Sequence, residues 1–201
     1  VQPRHFDAEL SGFKILSASE LASKTFAPIE YLVPGILPSI GLTMISGAPK
    51  VGKSYFCLYL VSQFQSDCGI LYLGLEDNFR RLQQRNAQIF PHGAPSTLKM
   101  FAGLSSESPM PRGELALRFI RQLKQKYPDI GCVFVDTVAN IRERSGREKN
   151  YDVVEAEFAA LRKLSHELKI AIVAVHHNRK RTETDASPLE QILGSQGISA
   201  T

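Results

Sequence analysis

The sequence predicts an α/β fold, a mainly parallel central sheet with helices on both faces, and three observations carry that prediction. Five short apolar runs are continuous rather than alternating, as in strands buried on both faces. The segments between them carry apolar residues at helical spacing. Chemically active residues gather where the runs end, the edge at which open parallel sheets bind ligands.

Residues 1–40 read as an N-terminal extension punctuated by Pro and Ser, with "SASELASKTF" as a short helix beginning at a Ser cap. The core is expected over residues 41–201. "LTMIS" (42–46) is the first strand, followed by "SYFCLYLVSQFQ", with Phe56, Tyr59, Leu60, Gln63 and Phe64 at helical steps. "GILYLGL" (69–75) is the second strand and "DNFRRLQQRNAQIF" a polar, Arg-rich helix, read as a solvated face or subunit contact. "LKMFAG" (98–103) is a weaker strand, and "GELALRFIRQLKQKY" places Leu115, Phe119, Leu123 and Tyr127 near one face. "GCVFVDTV" (131–138) is the fourth strand, "VVEAEFAALRKLSHEL" a helix, and "KIAIVAVHH" (169–177) the fifth strand.

Composition narrows the class. The chain has 201 residues, 43% hydrophobic and 22% charged, as globular domains do. No stretch approaches the roughly 18 apolar residues of a membrane span, and the N-terminus lacks the pattern of a secretory signal. Cys57, Cys68 and Cys132 have neither disulfide nor metal spacing, which fits a reducing cytoplasmic compartment. The formal charge of +4 is compatible with a polyanionic partner without requiring one. A first residue other than Met, and an end at "GSQGISAT", suggest a processed chain or a fragment.

Gly47-Ala48-Pro49-Lys50-Val51-Gly52-Lys53-Ser54 matches G-x-x-x-x-G-K-[ST] between a strand and a helix. Its glycines allow backbone angles that turn N–H groups inward as an anion nest at a helix N-terminus. These residues and the adjoining Tyr55 are expected to bind the phosphates of ATP. Lys53 would reach the β- and γ-phosphates and Ser54 would ligate Mg2+. The plain alternative is a Gly-rich turn with no ligand.

Three further strand exits complete the expected site. Asp136 ends "CVFVD" and would hold the Mg2+ shell through water. Glu76 would polarise the water that attacks the γ-phosphate, while Asp77 caps the next helix. His176 and His177, at the fifth exit, are candidates for sensing the γ-phosphate, and strand alternation leaves open which one does so.

These residues resemble the RepA-like, RecA-type ATPases, AAA-family replicative helicases of plasmids, phages and mobile elements. The resemblance spans about residues 26 to 199 and rests on "APIEYLVPGILP", "GAPKVGKS", "ILYLGLEDNFRRLQQR", "CVFVDTV", "AIVAVHHNRK" and "ILGSQGIS", in that order. It implies a three-layer P-loop NTPase with a RecA-like core, assembled as a hexameric ring with ATP between subunits. It also implies Glu76 as the catalytic glutamate, Asp136 as the Mg2+-associated aspartate, and His176 and His177 as the double-histidine motif. Leu193 stands where the plasmid helicase has an arginine, so an arginine finger is expected at Arg179, Arg181 or beyond residue 201. The sheet's last strands are expected to be missing.

Two basic stretches, 140–150 and 178–197, are expected to meet single-stranded DNA, although acidic residues dilute both and neither holds a stacking aromatic. The leading expectation is therefore a Mg-ATP-hydrolysing helicase or helicase-like motor. The alternatives are a recombination mediator or conformational switch of the same fold, and a nucleotide-dependent binding module with negligible turnover.

Overall fold

The computed structural model describes residues 15–107, 109–143 and 151–177. A one-turn helix α1 (Ala18–Ala22) opens with a capping box between Ser17 and Glu20. A small hairpin, β1 (Tyr31–Val33) and β2 (Leu37–Pro38), precedes the main sheet. Then come β3 (Gly41–Gly47), α2 (Lys53–Ser62), β4 (Gly69–Gly74), α3 (Phe79–Ile89), β5 (Leu98–Ala102), α4 (Glu114–Lys126), β6 (Ile130–Asp136), α5 (Tyr151–Leu168) and β7 (Ala171–His177). Short 3-10 turns follow β5, at Gly103–Ser105, and β6, at Val138–Asn140.

The five strands pair in the order β3-β7-β6-β4-β5, every pair parallel. All five therefore end on one rim. Alternation along each strand sends residues to two cores. Tyr72, Phe134 and Val173 pack with Cys57, Leu58 and Val61 of α2 and Leu82 of α3, and Leu32, Val33 and Leu37 of the hairpin join them. Leu73, Val135 and Ala174 pack with Ala116 and Ile120 of α4 and Leu161 and Leu164 of α5. Helices α2 to α5 each pack an apolar side against the sheet, which gives the three layers.

Two expectations about helix faces change. In α2 the buried apolar residues are Cys57, Leu58, Leu60 and Val61, while Phe56 and Tyr59 stand exposed and stack on each other. That helix is apolar all round, so spacing alone did not select the buried side. In α4 the buried stripe is Ala116 and Ile120, and Leu115 is exposed. The weaker run 98–103 is the edge strand β5, half-buried because one side has no neighbour among the described strands.

No helix among the described residues is long and apolar enough to cross a membrane. All three cysteines are free, and Cys57 and Cys132 are buried. The expected basic loop 178–197, most of the loop 140–150, Arg179, Arg181 and Leu193 lie outside the described residues.

Candidate functional site

The loop after β3 turns through left-handed backbone at Lys50 (φ 65°) and Gly52 (φ 94°) before α2 begins at Lys53. An L side chain at Gly52 would be strained in that conformation. The Lys53 side chain is buried, and its Nζ donates to the carbonyls of Gly47 (3.0 Å) and Ala48 (2.7 Å). Burial lowers the Lys53 pKa below the ordinary lysine range, and the charges of Asp136 and Glu76 pull it partway back. An ammonium held over its own loop, with carbonyls standing in for anionic oxygens, is the donor set a polyphosphate would use. The residues fit an ATP phosphate chain on this ground.

Asp136 ends β6 with its carboxylate buried, and the Tyr72 hydroxyl donates to its Oδ2 at 2.5 Å. Burial, reinforced by the Asp136 charge, pushes the Tyr72 phenol well above its ordinary value, so it remains a donor. The peptide bond from Asp136 to Thr137 is cis.

Glu76 and Asp77 leave β4 in different directions. Glu76 Oε1 accepts from Thr137 Oγ1 (2.9 Å) and Asn140 Nδ2 (3.0 Å). Its Oε2 lies 3.7 Å from His177 Nε2. Asp77 does not cap α3, contrary to expectation. Asn78 does so, its Oδ1 accepting from the Arg81 N–H at 2.9 Å. Asp77 is instead buried, accepting from Arg81 (3.2 Å) and Arg85, because two guanidiniums offer it more than one backbone amide. The Arg-rich face of α3 is correspondingly not just solvated, since Arg81 and Arg85 line the phosphate-loop cleft.

The two histidines part company. In the β3–β7 register Gly47 faces His177 and Ser46 faces His176. His177 lines the cleft. The His176 ring meets Phe158 of α5 edge-on, with centroids 6.0 Å apart.

The cleft encloses about 400 Å3. Pro49, Lys50, Gly52, Lys53, Ser54 and Tyr55 line it together with Glu76, Asp77, Arg81, Arg85, Asp136 and His177. Sequence reasoning missed Tyr72, Thr137, Asn140 and Arg85. Two signals were available. A tyrosine inside an all-apolar strand must find a partner for its hydroxyl. Asp77, Arg81 and Arg85 recur at four-residue steps, which aligns them on one helix face.

Over residues 8–183 the sequence matches the family described as "AAA domain". No curated protein matches it. Among solved structures, one described as an ATPase domain has a TM-score of 0.56 and 15% sequence identity, covering 77% of this chain and 64% of that one. The chain thus spans just under two thirds of the length of that domain. At this identity the likeness concerns the fold, a RecA-like P-loop core with a parallel sheet between two helical layers.

Proposed function

The chain belongs to the AAA domain family, and from that premise we propose that it binds and hydrolyses Mg-ATP as a DNA helicase or helicase-like ring motor in the replication of a plasmid, phage or mobile element. The observation that carries the reading is convergence. Lys53, Ser54, Glu76, Asp136 and His177 come from four different strand exits and line one cleft.

Lys53 and the backbone N–H groups of the loop from Gly47 to Tyr55, Pro49 excepted, would take the phosphates, and Ser54 and Asp136 would hold Mg2+. Bound Mg2+ supplies charge neutralisation on the triphosphate. Thr137 and Asn140 hold Glu76 Oε1, so Oε2 faces the cleft as the base that accepts a proton from the attacking water. His177 stands beside that oxygen as the sensor, and His176 couples the same strand exit to α5. Tyr72 fixes the Asp136 carboxylate.

A hexameric ring is proposed on surface grounds as well. Ile15, Phe26 and Ile29 are 78%, 68% and 69% exposed, a run of large apolar side chains that the chain's own core leaves uncovered. Residues 1–40 form the extension that carries them, and 41–201 the ATPase core. Single-stranded DNA would meet the basic stretches 140–150 and 178–197 in the ring channel.

The test is strand displacement by the purified protein with ATP at low salt, alongside ATP hydrolysis with and without single-stranded DNA. The expected result is DNA-stimulated hydrolysis and unwinding. Hydrolysis indifferent to DNA, with no displacement, would leave a nucleotide-driven switch; no hydrolysis would remove the motor altogether.

A further inference from the structure

Arg85 is one of the charged groups in the cleft that this chemistry leaves idle. Its guanidinium donates to the buried Asp77 carboxylate and lies 5.6 Å over the Tyr55 ring. Arg81, one turn earlier on α3, donates to the same carboxylate. Two guanidiniums share one carboxylate, so this wall of the cleft keeps one uncompensated positive charge. A guanidinium carries five N–H donors in a planar fork suited to oxyanions. Among the described residues Arg85 donates only to Asp77.

The position of Arg85 relative to the reacting end follows from the two carboxylates that leave β4. Glu76 runs to Thr137, Asn140 and His177, the groups proposed above to face the terminal phosphate. Asp77 runs to α3, and it holds Arg85 against Tyr55, the residue after Ser54 at the start of α2. Arg85 therefore stands beside the first turn of α2, the helix N-terminus that a polyphosphate would face.

We propose that Arg85 is a nucleotide-binding residue that grips the inner phosphates of a bound nucleoside di- or triphosphate, with Asp77 as its positioning residue. The proposal rests on the ATPase reading and deepens it. Asp77 sets the fork in place before the ligand arrives, so little side-chain freedom remains to be lost on binding. A phosphate oxygen then takes the donors that Asp77 does not use, in a charge-assisted contact.

Titration calorimetry of the full chain with Mg-ATP and with Mg-ADP tests it. R85Q is expected to weaken both ligands by a similar factor of about tenfold or more, the loss of a hydrogen bond to a charged group. D77N is expected to weaken both in the wild-type background and to cost nothing further in D77N/R85Q, whereas a merely structural Asp77 would cost affinity in both backgrounds. The double variant removes the buried pair together and still reports on Arg85 if R85Q alone does not fold. Unchanged affinity for both nucleotides in R85Q or the double variant, or a loss confined to ATP, would overturn the proposal. A wild-type protein that takes up neither nucleotide would overturn the ATPase reading itself, a separate outcome.

Discussion

Glu76 keeps one oxygen tied by two donors and the other beside His177, so the proposed base has its geometry set in advance. E76Q retains shape and loses the proton acceptor. Its turnover is expected to fall by about 100-fold or more while ATP binding persists, measured by steady-state hydrolysis and calorimetry; unaltered turnover would reassign the base. Lys53 carries a pH prediction. Its pKa is lowered by burial, so the ammonium is lost at lower pH than a free lysine's. A polyanion binds the protonated form, so ATP affinity is complete near neutrality and falls as pH rises through that lowered value. In K53R the charge persists throughout, and the alkaline fall in affinity should vanish from titrations across pH. Tyr72 is a third case, because Y72F leaves Asp136 Oδ2 without its donor. The expected cost is about 1–3 kcal/mol of stability in a denaturant titration. At this scale legibility followed position. Lys53, Glu76 and Asp136 were readable because each ends an apolar run or fills a motif. Arg85 and Tyr72 were not singled out, since their roles depend on partners brought together by the fold rather than by sequence.

Connections between elements place the side chains of the cleft as firmly as the strands do. The 3-10 turn after β5 lies against the β4 exit: Leu104 N–H donates to the Asp77 carbonyl, and Phe79 N–H donates to Ser105 Oγ. Gly103 permits that approach, since a Cβ there would lie 2.4 Å from the Leu75 carbonyl oxygen. Backbone cannot yield as a flexible side chain can. G103A is therefore expected to cost about 1–3 kcal/mol by overpacking and to slow ATP hydrolysis by displacing Glu76, read from thermal melting and kinetics on one preparation. A normal melting temperature with full activity would show that the turn is looser than its contacts imply. The strands and most helices were legible here, because buried parallel strands are continuous apolar runs. The Asp77 cap was misread because one residue's shift moved that task to Asn78 and freed Asp77 for the arginines.

For the whole molecule, assembly is the open quantity. The exposed apolar side chains of the extension sit apart from the two cores, so their replacement should spare the monomer. F26S with I29S is expected to shift the protein toward smaller species in sedimentation with ATP and Mg2+, at an unchanged melting temperature of the monomer. Oligomers that persist unaltered would move the subunit contact elsewhere. Parallel architecture was plain in the residues; the burial of the small hairpin was not, because Leu32, Val33 and Leu37 lie in a stretch broken by Pro34 and Gly35.

Gly47 stands opposite His177 on one rung of the β3–β7 ladder, and Gly74 opposite Asp136 on one rung of β4–β6. The ladders work as a ruler: distances across the working rim are inherited from backbone pairing, not tuned by the tails beyond it. A guest peptide spliced into the exposed turn at residues 91–94, on the far rim, would leave that spacing intact. The protein could carry such cargo with its rim undisturbed.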